Sequence, residues 1–203
     1  GHEINGSVNG SVVITGGSLS LSTQKGIASW TINGDFDQSA GYSVYKWNTG
    51  AASISILGNY SQLNSNAILY SKANAATPDP VVLSIFGDAS FENATFFFDS
   101  CLTSTGSHEL ILKGSNVTFG DNTVFTHRSH LTTRTNFGLI RYDRAGTINL
   151  VRSTSNFDMQ QVKQLVTSNT YVDYSASLFD FTIASHVSAN SSYHTTLEVD
   201  GAL

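Results

Sequence analysis

Apolar and polar residues alternate with a period of two over short stretches of this chain, and glycine, asparagine or aspartate closes most of them. Period two places alternate side chains on one face, so the alternation predicts short strands with one buried face. The unit recurs in one orientation. Val82 to Phe96 runs as an apolar strand, Gly87, a short polar stretch, Phe91, a polar pair, Thr95 and apolar residues again. Leu110 to Phe125 repeats it with Gly114 and Phe119, and Ser53 to Ile68 repeats it with Gly58 and with Leu63 in the phenylalanine position. Trp30 to Phe36 around Gly34, Val12 to Gly16, and Leu197 to Leu203 around Gly201 are shorter members. The glycines fall at positions 16, 34, 58, 87 and 114, irregularly spaced but at intervals within the range of one solenoid coil. Each glycine is expected to take a positive φ and turn a corner. Asn and Asp at the following corner are expected to satisfy turn amides.

These units predict one all-β domain over residues 1–203, built as a parallel β-helix (β-solenoid). The alternative is a β-sandwich or jelly roll, where alternation and glycine turns are also common. The constant orientation of the unit and the scarcity of tight-hairpin dipeptides in the middle of the chain favour the solenoid. Residues 1–24 alternate weakly and are rich in Gly and Ser, as suits a capping strand or one exchanged with another copy. Residues 72–80 hold both prolines and predict an exposed loop. Residues 127–167 break the pattern and predict an irregular, Arg-rich loop followed by one short helix. The helix is assigned to 157–167, because Met159, Val162, Leu165 and Val166 form an apolar stripe and Ser155 with Asp158 resembles a capping box.

Composition narrows the function classes. Charged residues are only 12% of the chain, and Ser (29), Thr (21), Asn (16) and Gly (17) take up the difference. A neutral, hydroxyl-rich surface of this kind suits an extracellular or cell-surface protein. The net charge of −5 argues against nucleic-acid binding, which needs a basic field. No apolar run approaches the length of a membrane span. Cys101 is the single cysteine, so an internal disulfide is excluded, and a buried, inert thiol is expected. The chain opens Gly1-His2-Glu3 without Met and stops at Leu203, which reads as a processed chain or a piece of a longer one. Asp35 with Asp37 and Glu198 with Asp200 have the i, i+2 spacing of carboxylates on one strand face, and some polysaccharide hydrolases and lyases use such pairs. Both pairs flank the repeat glycines, which gives them a corner role instead, so the chain is read as no enzyme. His127 and His130 have no acidic partner at ligand spacing, and His186 and His194 are eight residues apart; all are read as solvated loop histidines, so no metal and no cofactor is expected.

The charge distribution is more specific. All five arginines, Arg128, Arg134, Arg141, Arg144 and Arg152, fall in one short segment, with His127 and His130 among them. One reading is a patch for an anionic partner such as a sialylated or sulfated glycan. The other is a loop whose arginines pair with Asp143, Asp121 or Asp158. Asn5, Asn9, Asn59, Asn93, Asn116 and Asn190 each begin an Asn-x-Ser/Thr triplet and would serve as N-glycosylation sites in an organism that modifies them.

Trp30-Thr-Ile-Asn-Gly-Asp-Phe36, Ser90-Phe-Glu-Asn-Ala-Thr95, Gly114-Ser-Asn-Val-Thr-Phe119 and Leu197-Glu-Val-Asp-Gly201 resemble the rungs of passenger domains of type V autotransporters, in particular the vacuolating-cytotoxin-like group. The resemblance covers about half of the chain and implies a right-handed parallel β-helix displayed on a cell surface, with adhesion or toxin-delivery roles. Departures are the short length, the scarcity of lysine, and the Pro and Arg loops. Three functions follow as expectations. The first is a non-catalytic adhesion module for a cell-surface glycan or protein receptor. The second is an extracellular filament subunit assembled from copies of itself by donating the N-terminal strand. The third is a phage tail fibre or spike that binds surface polysaccharide.

Overall fold

A computed structural model of the chain describes residues 3–71, 79–99, 108–126, 138–152, 158–159, 162–167, 170–173 and 197–199. The described residues form a β-solenoid of parallel strands, each coil contributing one strand to each of three sheets. The first coil is β1 (Glu3–Val8), β2 (Val12–Ile14) and β3 (Ser18–Ser20), and the second β4 (Ile27–Ile32), β5 (Phe36–Gln38) and β6 (Tyr42–Lys46). The third is β7 (Ala52–Ile56), β8 (Tyr60–Leu63) and β9 (Asn66–Tyr70), and the fourth β10 (Val81–Ile85), β11 (Ala89–Glu92) and β12 (Thr95–Asp99). The fifth is β13 (Glu109–Leu112), β14 (Asn116–Phe119) and β15 (Val124–Thr126), and the sixth β16 (Gly138–Tyr142), β17 (Gly146–Arg152) and β18 (Asp158–Met159). Strands β19 (Val162–Val166), β20 (Thr170–Asp173) and β21 (Leu197–Val199) extend the first and second sheets. Residues 3–24 are part of this stack: β1 pairs with β4 along its whole length, from Glu3 with Ile27 to Val8 with Ile32.

The core is made of columns of like side chains. Ile54, Leu83, Leu110 and Ile140 lie in register in the first sheet, as do Ile32, Ile56, Ile85, Leu112 and Tyr142, and all are buried. Rings run down the second sheet, with Phe36 on Tyr60 at 5.4 Å, Tyr60 on Phe91 at 5.3 Å and Phe91 on Phe119 at 5.7 Å. Each such side chain contributes about 1.5–3 kcal/mol by leaving water.

Two polar devices tie coil to coil inside this apolar column. Gln38 Nε2 donates to Asn66 O (2.9 Å), and Gln62 Nε2 donates to Ser65 O and Thr95 O (both 3.1 Å). Tyr45 Oη donates to Tyr60 Oη (3.2 Å), which donates to Gln62 Oε1 (3.2 Å). At the corner leading back to the first sheet, the buried Lys46 ammonium donates to Gln24 O (2.9 Å) and Gly26 O (2.8 Å).

Several sequence expectations are corrected. The residue in register with Phe91 on the third coil is Gln62, not Leu63; Tyr60 supplies the ring instead, stacking from a neighbouring register position. The expected helix over 157–167 is β18 and β19 among its described residues. Val162 and Gln164 pair with Gly138 and Ile140 of β16, both point into the core, and Tyr142 Oη donates to Gln164 Oε1 (2.7 Å). A short isolated helix has marginal stability, whereas β19 finds a ready sheet edge to extend. Within the segment expected to be irregular, β16 is a regular strand, and its Gly138 fits because Phe98 occupies the space a Cβ would need. Residues 72–78, Cys101, His186, His194 and Asp200 lie outside the described residues.

Candidate binding corner

The corner between the first and second sheets is built by two ladders. Gly34 N donates to Gly10 O (3.1 Å), Gly58 N to Gly34 O (3.2 Å) and Gly87 N to Gly58 O (3.0 Å). A Cβ at Gly34, Gly58, Gly87 or Gly114 would lie 2.5–2.7 Å from the carbonyl carbon of the glycine one coil below. These glycines are therefore needed for close backbone approach rather than for positive φ, which they do not adopt. Gly10, not Gly16, begins the ladder, and with that correction the first interval equals the second. Positive φ occurs at Gly17, Gly41, Asn64, Asn93 and Asn122 before the third sheet, at Gly26 and Gly50 before the first, and at Gly146 where the sixth coil enters the second.

Beside the glycines runs a ladder of short polar side chains. Ser11 Oγ accepts from Asp35 N (3.0 Å), Asp35 Oδ1 from Asn59 N (2.7 Å), Asn59 Oδ1 from Asp88 N (2.9 Å), and Asp88 Oδ1 from Asn116 N (2.9 Å). Each side chain thus satisfies a backbone amide of the next coil. Asp35, one of the carboxylates considered for catalysis, is a rung of this ladder.

The sixth coil breaks the pattern. Leu57, Phe86, Lys113 and Asp143 are equivalent, since their amides donate to Ile32 O, Ile56 O, Ile85 O and Leu112 O. The next residue is Gly58, Gly87 and Gly114 in three coils and Arg144 in the fourth. Asn116 follows Lys113 closely, but Asn149, which pairs with Asn116, comes twice as far along the chain after Asp143. The glycine position is therefore occupied by an arginine and the corner is lengthened. Arg144 Nη1 donates to Ser115 Oγ, so the side chain lies back along the ladder.

In front of this break is a cavity of about 520 Å³, lined by Asn59, Phe86, Asp88, Lys113, Ser115 and Arg144 among others. Phe86 is 44% exposed, with Lys113 Nζ 4.9 Å from its ring centroid, a cation–π contact. Lys113 also faces Asp143 at 3.6 Å. Partial burial works to raise the Asp88 pKa, but the Asn116 side chain and amide, the Ser115 amide and the Arg144 charge outweigh it, and the net shift is downward. Asp88 therefore stays ionised beside Arg144. Two cations and two carboxylates share the corner.

The arginine cluster is not assembled as one patch among the described residues. Arg144 reaches the corner. Arg141 lies on the outer face of the first sheet, where its Nε and Nη2 donate to Glu109 at 3.2–3.3 Å. Arg152 is on β17 in register with Phe119. Arg128, Arg134, His127 and His130 lie outside the described residues. Of the triplet asparagines, Asn59 and Asn116 are in the corner ladder, and Asn116 Nδ2 donates to Asp88 Oδ2 (2.7 Å). Asn93 takes φ 50° and its Nδ2 donates to Asn64 Oδ1. Asn5 and Asn9 are exposed on the first coil, and Asn190 lies outside the described residues. Phe86, Asp88 and Lys113 were not singled out by sequence. Aligning the coils on Gly87, Gly114 and Arg144 would have found them. Among the described residues no group of three His, Cys, Asp or Glu side chains could hold a metal. No protein-family model matches the chain, and no curated protein or solved structure is significantly similar to it.

Proposed function

We propose that this chain is an extracellular or cell-surface β-solenoid module that binds a surface glycan or protein receptor and has no catalytic role, in the manner of an autotransporter passenger or a phage fibre. The carrying observation is Arg144 in the position where the preceding coils carry the ladder glycine, beside a polar cavity. The coils before it close the same corner with Gly34, Gly58, Gly87 and Gly114. The low charge and abundant hydroxyls of the chain add support. Assembly into filaments by donation of residues 1–24 has less support, since β1 is paired along its length with β4 of its own chain.

Binding of the fluorescently labelled chain to intact cells tests the reading. The double substitution Lys113→Ser, Arg144→Ser should weaken binding by about tenfold or more, equivalent to about 1.4 kcal/mol. Arg141→Ser, which removes only the pair with Glu109, should leave it unchanged. Equal binding by the double variant and the unsubstituted chain would remove the corner from consideration.

A further inference from the structure

The chemistry of the corner narrows its ligand, on the understanding that the corner is the binding site. Each described cation here has an acid near it: Lys113 has Asp143, and Arg144 lines the same cavity as Asp88. Arg141, the next arginine along, is matched by Glu109. The corner therefore lacks the net positive field that draws a polyanion, and a sulfate or carboxylate entering it would meet Asp88 as well as the cations. A sulfate or carboxylate group can only accept hydrogen bonds. A sugar hydroxyl both donates and accepts, and the corner offers both kinds of partner. Asp88 accepts, Arg144 and Lys113 donate, and the Asn59 amide nitrogen adds a further donor.

The remaining component is Phe86, a half-exposed ring at the cavity edge, which provides an apolar face for the C–H side of a pyranose. The cavity, about 520 Å³, lies within the range of about 300–1,000 Å³ that small-molecule sites occupy. Its floor is rigid, because Asp88 is held by the Asn116 amide and side chain and Arg144 is held by Ser115. We infer that the corner formed by Phe86, Asp88, Lys113 and Arg144 binds an uncharged, hydroxyl-rich saccharide unit, not a sulfated or sialylated one.

The test is a panel of immobilised oligosaccharides in neutral and in sulfated or sialylated forms, probed with the full chain and with Phe86→Ala and Arg144→Gly at about 0.05 and about 0.5 M NaCl. The expected result is retention on a neutral glycan, changed less than about twofold by salt and weakened about tenfold or more by either substitution. Retention only on anionic glycans, lost at high salt and lost in Arg144→Gly, would overturn the inference while leaving the corner as the site. Glycan retention unaffected by both substitutions would overturn the corner reading itself. Silence across the whole panel would overturn the saccharide assignment, and the cell-binding experiment would then decide whether the corner binds a protein receptor.

Discussion

At the scale of single residues, glycine has two different tasks in this chain, and the geometry separates them. Gly87 stacks on Gly58 so closely that a Cβ would lie 2.5 Å from its carbonyl carbon, whereas a Cβ at Gly10 meets nothing within 4 Å. Gly87→Ala should therefore cost about 3 kcal/mol, at the upper end of overpacking effects. Gly10→Ala should stay within about 0.5 kcal/mol of neutral. Urea denaturation of the two variants measures the difference. Gly34, Gly58, Gly87 and Gly114 were legible in the sequence as one series, but its first member, Gly10, and its cause were not. The partner of each ladder glycine lies a full coil away along the chain, and no local rule contains that contact. The same distance hid the corner site, because Phe86, Lys113 and Arg144 become neighbours only once the coils are stacked.

At the scale of elements, a buried chain of hydrogen bonds joins three coils: Tyr45 to Tyr60, Tyr60 to Gln62, and Gln62 to the carbonyls of Ser65 and Thr95. Gln62→Leu should cost about 1–3 kcal/mol, since the buried Tyr60 hydroxyl loses its acceptor and the bond to Thr95 O in the next coil is lost. Thermal denaturation followed by circular dichroism measures it. The network also sets an alkaline limit. Burial raises the pKa of both Tyr45 and Tyr60 above the usual 10.0. Above about pH 10 the unfolded chain loses these two protons while the folded chain keeps them. Stability present below that pH is then lost as pH rises, by about 1.4 kcal/mol per unit for each tyrosine. Lys46, lowered by burial despite the attraction of Asp79, acts in the opposite direction below its ordinary 10.5. Urea midpoints followed from about pH 9 to about pH 11 should fall above about pH 10, and Tyr60→Phe should make the fall shallower. Strand and solenoid were legible because period two survives in every clear coil. The segment 157–167 misled because Val162, Leu165 and Val166 suit a helical stripe as well as a strand, and the edge of β16, which decides between them, is distant in sequence.

At the scale of the whole molecule, each coil touches mainly its neighbours, so stability is a sum over coils and interfaces. Amide exchange should be slowest in β7 to β14, which have paired strands on both sides, and faster in β1 to β3 at the stack's first coil. The rung at Arg144 carries the functional claim. Arg144→Gly restores the residue that the preceding coils carry, so it should remove the site without removing the fold. The decisive measurement is the stability and the cell binding of this one variant, side by side. The expected result is a stability within about 1 kcal/mol of the unsubstituted chain, the scale of a single glycine's entropy, together with loss of binding. Undiminished binding by a folded Arg144→Gly chain would contradict it.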